Sequence, residues 1–249
     1  MVSLKKTVNK LTPTVNSTCR IVISKLTKHD SEPLDTDYLQ SEGEISLDLE
    51  QVHTSLDRDF VKLLLNTRLG DTGTLATKCA DVEFKLAEIT RTPSVHEMTD
   101  EDKLSRATLH KETGSALFKQ GKYEAAFRRF KASVQYLIFM NDKTTAHACE
   151  LYATVCNNMA MCQIKFNNPA YAIELCGKAL SVDDTNVKAL YRRASCYVVM
   201  KRYEEAMADL VRAQNRESNV SVKKLMETVQ AQLKIQDDEY RTVVKNMFR

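Results

Sequence analysis

The chain has no tryptophan, and its 249 residues include only 6 glycines and 4 prolines. So little Gly and Pro excludes a collagen-like or low-complexity chain, and a hydrophobic fraction of 43% is enough to build packed cores. Apolar runs of about 18 residues are absent, which leaves no candidate membrane span. The N-terminal stretch MVSLKKTVNKLTPTVNSTC lacks both the continuous apolar segment and the small-residue cleavage site of a secretory signal, so a soluble cytoplasmic or nuclear protein with no membrane partner is expected. The seven cysteines (Cys19, Cys79, Cys149, Cys156, Cys162, Cys176 and Cys196) are odd in number and include no C-x-x-C pair, so reduced, buried thiols are expected rather than disulfides or zinc. His29, His53, His96, His110 and His147 are dispersed, and no phosphate-cradling Gly loop, Ser/His/Asp set or paired carboxylates can be defended from spacing. No catalytic residue, metal or cofactor is therefore expected.

A net charge of +3 is too small to point to nucleic acid, but it is unevenly spread. Residues 1–100 hold 12 Lys and Arg against 16 Asp and Glu, whereas residues 101–249 hold 24 against 17. The basic half is where an acidic partner would bind.

The two halves also differ in pattern, with the change in RTPSVHEMTDED, so that residues 92–102 read as a linker. Before it, TCRIVISKL, EISLDL and ADVEFKLAEI alternate apolar and polar residues as half-buried strands do. SLDRDFVKLLLNT carries the 3.6 period of one helix, with Ser55 as the expected cap. Residues 1–91 are thus expected to form a small α+β domain. After the linker, the chain reads as helices joined by short turns, with no strand signal.

Three segments of the second half superimpose without gaps: GSALFKQGKYEAAFRRFKAS from Gly114, AMCQIKFNNPAYAIELCGKA from Ala160 and ASCYVVMKRYEEAMADLVRA from Ala194. Small residues recur in three registers: Gly114, Ala160, Ala194; Ala126, Ala172, Ala206; and Ser133, Ala179, Ala213. Antiparallel helices approach closely only where side chains are small, while Leu117, Phe130, Tyr197 and Leu210 are placed to fill the gaps alongside. The last two units are 34 residues apart, the period of the tetratricopeptide (TPR) helix-turn-helix. The first two are 46 apart, so about 12 extra residues around FMNDKTTAHACE lengthen the helices or their link. Three TPR repeats over residues 103–216, covered by a C-terminal capping helix in 217–249, complete the expected all-α domain.

A TPR stack presents the first helix of each pair along a groove. Lys111 and Ser115 are one turn apart on the first such helix, Asn158 lies on the second, and Lys188 and Arg192 are one turn apart on the third. Two cations at i,i+4 beside an unpaired lysine are mildly unfavourable until an anion arrives. Lys122, Arg128, Lys201 and Arg212 read as solvated surface charges, and Arg193 as a structural ion-pair donor.

The stretches K-E-T-G-S from Lys111, N-M-A-M-C from Asn158 and K-A-L-Y-R-R from Lys188 resemble the dicarboxylate clamp of TPR co-chaperones. Those proteins grip the C-terminal Glu-Glu-Val-Asp tail of heat-shock protein 90. The family's five clamp positions are Lys, Asn, Asn, Lys and Arg; Lys111, Asn158, Lys188 and Arg192 match, and Ser115 stands where the family has Asn. The extended first repeat and the ending YRTVVKNMF, over about Asp102 to Arg249, resemble the TPR block of FKBP-type immunophilins. Residues 15–91 resemble the second half of an FKBP-type prolyl-isomerase domain: a strand, a helix, a G-D-T-G turn and two closing strands. The family's aromatic pocket has a Trp floor and a long loop between the closing strands, and this chain has neither. The resemblance therefore implies an FKBP-like co-chaperone with a degenerate isomerase domain. It would bind the heat-shock protein 90 tail, or that of the 70-kDa chaperone, and hold a second, unidentified protein. Prolyl isomerisation, or a TPR scaffold for another peptide, are the alternatives.

Overall fold

The computed structural model describes residues 11–15, 17–29, 34–52, 54–91, 93–217 and 219–247. The first ten residues and the last two of the expected domains lie outside the described residues. The chain divides into two compact units, Met1–Met98 and Thr99–Arg249.

The first unit is a four-stranded antiparallel sheet of order β2-β1-β4-β3, with β1 Ser17–Lys28, β2 Gly43–Asp48, β3 Thr72–Ala76 and β4 Ala80–Arg91. Strict alternation places Cys19, Ile21 and Ile23 of β1 and Val82, Phe84 and Leu86 of β4 on one buried face. Helix α1, Ser55–Leu64, contributes Leu56, Phe60 and Leu64 from one stripe to the same core. The Phe60 and Phe84 rings meet edge to face at 4.8 Å. The cap of α1 is Thr54 rather than the expected Ser55: the Thr54 hydroxyl accepts from the Asp57 amide at 3.2 Å. Both hydroxyls fit the cap pattern, and the helix chose the one that also donates to the Asp57 carboxylate, at 2.7 Å. That buried carboxylate further accepts from the Thr36 hydroxyl and, at 2.8 Å, from the Asp37 amide, tying the preceding loop to α1.

The second unit is entirely helical among its described residues. Its helices are α2 Asp100–Lys119, α3 Tyr123–Ile138, α4 Ala146–Lys165, α5 Pro169–Val182, α6 Val187–Val199, α7 Tyr203–Arg216 and α8 Val220–Met247. The pairs α2/α3, α4/α5 and α6/α7 stack in series, and α8 covers α7. Helix α2 starts before the expected boundary, because Asp100, Glu101 and Asp102 form its first turn instead of a linker. Thr99 caps it, and acidic side chains there meet the positive end of the helix dipole.

All nine small positions of the repeat are buried. At Gly114 the packing leaves no room for a side chain: a Cβ would lie 2.7 Å from the Phe130 ring. Ser133 adds a hydrogen bond from its hydroxyl to the Ala107 carbonyl at 2.7 Å, joining α3 to α2. Of the expected gap fillers, Leu117, Phe130 and Leu210 are buried, whereas Tyr197 is half-buried under the Arg202 guanidinium. Within each pair the turn reverses through one left-handed residue in the same register, Gly121, Asn167 and Lys201, with φ of 79°, 55° and 58°. The next residue's amide then closes the turn on Leu117, Gln163 and Tyr197 respectively.

The additional residues of the first repeat are divided between longer helices and a longer link. α3 has 16 residues against 14 for α5, α4 has 20 against 13 for α6, and the link between α3 and α4 spans 139–145. The Asp100 carboxylate accepts from the amides of Asn141, at 3.0 Å, and Asp142, at 2.9 Å, which pins that link. In α8, Val222 and Val229 are buried against the last pair, while Tyr240, Val243 and Met247 are exposed, so the helix runs on past the stack. No described helix is long and apolar enough to cross a membrane. The expectation of buried thiols fails at two positions, since Cys79 is exposed on a hairpin turn and Cys149 is half-buried near the start of α4.

Candidate peptide-binding groove

Helices α2, α4 and α6 are the first members of the three pairs and line one side of the stack. Between them is a depression of about 210 Å3, walled by Ser115, Phe118 and Lys119 of α2, Phe130 of α3, Asn158 and Met161 of α4, and Arg192 of α6. Three of the five residues singled out by sequence, Ser115, Asn158 and Arg192, thus border a single cavity. Lys111 and Lys188 do not border it. Lys111 sits one turn before Ser115, half-buried, with its ammonium 3.6 Å from the Glu112 carboxylate. Lys188 sits one turn before Arg192, exposed and without a hydrogen bond or ion pair to any described residue.

The position of Arg192 follows from the start of its helix. Asn186 caps α6 by accepting from the Ala189 amide at 3.0 Å, and the same oxygen accepts from the Asn157 side chain at 3.0 Å. α6 is thereby fixed to α4, and Arg192, two turns along, donates from Nη1 to the Asn157 carbonyl at 2.8 Å. Among the described residues no carboxylate meets this guanidinium, and burial pushes its pKa below the ordinary arginine range. Its neighbour Arg193 is the structural partner expected from sequence, holding Asp209 through two hydrogen bonds of 2.7 Å.

Two adjacent asparagines have divided roles. Asn157 faces inward, buried, and its own amide oxygen is left without a partner among the described residues. Asn158 is half-buried on the cavity wall and makes no hydrogen bond to a described residue. Ser115 differs again: its hydroxyl donates to the Lys111 carbonyl one turn back, at 2.8 Å. That bond engages the only hydrogen the side chain has for an anion.

Sequence reasoning passed over Phe118, Lys119 and Met161. The signal was present, since they lie three or four residues after Ser115 and Asn158, on the same helix faces. A larger depression of about 270 Å3, walled by Leu137, Ile138, Ala148, Tyr152 and Val182 among others, is mainly apolar, with Lys143 its single charged residue. Among the described residues no cluster of His, Cys, Asp or Glu could hold a metal ion.

A cavity bordered by a carboxylate-free guanidinium, a carboxamide and an apolar wall can take an anionic group on a short extended chain. Comparisons with known proteins agree with the helix-pair architecture. A tetratricopeptide-repeat family model matches residues 187–219, the third helix pair. Peptidyl-prolyl cis-trans isomerase FKBP4 of Bos taurus is 31% identical over 170 residues, covering 67% of this chain and 37% of the relative. Its Homo sapiens counterpart is 32% identical over 172 residues, with the same coverages. The chain therefore spans 37% of the length of these curated relatives. Among solved structures, the C-terminal TPR-containing domain of a putative FK506-binding protein of Plasmodium falciparum matches with a TM-score of 0.53 and 25% identity, over 58% of this chain and 99% of that one. A small antiparallel sheet unit followed by TPR helix pairs makes the chain a TPR-type protein, similar in sequence to FKBP-type immunophilins.

Proposed function

We propose that the protein is a non-enzymatic co-chaperone adaptor whose groove binds the C-terminal carboxylates of an acidic chaperone tail of the Glu-Glu-Val-Asp type, that of heat-shock protein 90 or of the 70-kDa chaperone. The observation that carries this reading is Arg192: a half-buried cation without a carboxylate partner among the described residues, beside an Asn158 carboxamide with no partner there. Desolvating a charge costs free energy unless a counter-charge is supplied, and a peptide carboxylate is such a charge. Lys188 and Lys111, one turn before Arg192 and Ser115, add positive charge along the approach. Open to solvent and short of one donor at Ser115, the groove is expected to bind with micromolar affinity, about −8 kcal/mol. Titration of the whole chain with such a peptide at rising salt tests this. Affinity that falls steeply with salt supports it, and affinity indifferent to salt rejects it.

The name of the curated relatives favours a second reading, FKBP-type prolyl isomerisation by the N-terminal unit. Several features weigh against it. The chain has no tryptophan, and the β3–β4 connection is only residues 77–79, closed by a hydrogen bond from the Thr77 hydroxyl to the Ala80 carbonyl at 2.7 Å. Phe60 and Phe84 are spent in the sheet core instead of walling a pocket. A protease-coupled prolyl-peptide assay on the whole chain decides the matter: turnover above the uncatalysed rate establishes the second reading, and its absence leaves the adaptor.

A further inference from the structure

Lys119 borders the same cavity as Ser115, Asn158 and Arg192. Lys111, Ser115 and Lys119 are spaced by four residues on α2, which sets them in a line about 12 Å long on one face of the helix. Lys119 is exposed and makes no hydrogen bond or ion pair with a described residue. Its place in the last turn of α2 offers an ordinary explanation, because a cation there meets the negative end of the helix dipole. That explanation would serve for a lysine on any side of the turn. This one stands on the cavity wall next to Phe118, across from the helices that carry Asn158 and Arg192.

Consider a ligand whose terminal carboxylate lies against Asn158 and Arg192. An extended chain advances about 3.3–3.6 Å per residue, so a cavity of about 210 Å3 accommodates only its last few residues. Lys119, with a long flexible side chain, is then within reach of the side chains just upstream. We infer that Lys119 reads an acidic side chain, Asp or Glu, one to three residues before the ligand's terminal carboxylate, which makes the groove selective for the acidity of the tail as well as for its free end. The inference rests on the groove reading given above.

The test is a double-mutant cycle between protein and peptide. The whole chain, as wild type and as Lys119→Gln, is titrated with a free-acid peptide ending in Glu-Glu-Val-Asp and with its two single Glu→Gln versions. One Glu→Gln change is expected to weaken binding to wild type about threefold, as for a solvent-exposed ion pair, and to leave binding to Lys119→Gln unchanged. Lys119→Glu should recover affinity for the matching Glu→Lys peptide. Equal losses on both proteins, or no recovery by charge exchange, would overturn the inference. Amidating the peptide's C-terminus separates the two levels. If amidation weakens binding while the cycle shows no coupling, only the role of Lys119 fails; if amidation changes nothing, the groove reading fails and takes Lys119 with it.

Discussion

Arg192 donates to the main-chain carbonyl of Asn157 at 2.8 Å, so the guanidinium that faces the groove is aimed by the neighbouring helix and not by an acidic side chain. Its donors that are not used in this bond remain for a ligand, in a fixed fork that suits a carboxylate. The contrast with Arg193 is instructive. One residue further along the helix, the same side chain is neutralised by Asp209 and serves the packing of α6 on α7.

Ser115→Asn is expected to raise affinity for a free-acid tail, by up to about tenfold for one added charge-assisted hydrogen bond. The serine hydroxyl is engaged with the Lys111 carbonyl, whereas an asparagine amide would extend into the cavity with two hydrogens free. Calorimetric titration of both proteins with the same peptide checks this.

Gly114→Ala should destabilise the helical unit. The new Cβ would lie 2.7 Å from the ring of Phe130, which is 1% exposed, so the ring would have to shift into the groove it borders or the two helices would have to part. Overpacking costs about 1–3 kcal/mol, and alanine's better helix propensity returns only about 1 kcal/mol. Thermal unfolding is the measurement, and adding Phe130→Leu to Gly114→Ala should recover part of the loss.

Lys201→Gly should stabilise, although it replaces a long side chain with none. Lys201 holds the left-handed conformation at φ 58°, where the first repeat already has Gly121. Removing the Cβ conflict there is worth about 0.5–1 kcal/mol, roughly 1–4 °C in Tm for a chain of this size. Gly121→Ala should shift Tm the other way.

The α3–α4 link should loosen in acid. Hydrogen bonds from the Asp142 and Asn141 amides hold the Asp100 carboxyl below its ordinary value of 3.8. Because the folded-state value is depressed, this contribution is complete above the ordinary value and is lost as pH falls through the lower one. Hydrogen exchange at the Asn141 and Asp142 amides should therefore keep its protection from neutral pH down to the ordinary carboxylate value and lose it only below that value. Asp100→Asn should remove the pH dependence.

Much of the helical unit was legible because its signal is steric. Close helix crossings require small residues, and Gly114, Ala126, Ser133 and their equivalents report them directly. The strands of the first unit were legible from alternation at Cys19, Ile21 and Ile23. Adjacent residues of similar chemistry were harder to separate. Thr54 and Ser55 both fit a cap, and only the reciprocal bond with Asp57 distinguishes them. Asn157 and Asn158 look alike in sequence, yet one is buried against Asn186 and the other faces the groove, a difference of 100° around the helix that the pattern alone does not orient. The exposure of Cys79 was legible and passed over, because Thr77, Lys78 and Asp81 around it are polar, as suits the hairpin turn that carries it outward.

The central claim is that the groove recognises a free carboxylate through Arg192 and its neighbours. Its most direct test is calorimetric titration of the whole chain with one Glu-Glu-Val-Asp-ending peptide, as free acid and as C-terminal amide, on wild type and Arg192→Ala. The account expects amidation to weaken wild-type binding about ten- to a hundredfold, Arg192→Ala to weaken free-acid binding by a similar factor with helical content unchanged, and the two changes together to cost little more than either alone. Equal affinity for acid and amide, or wild-type affinity in Arg192→Ala, would contradict it.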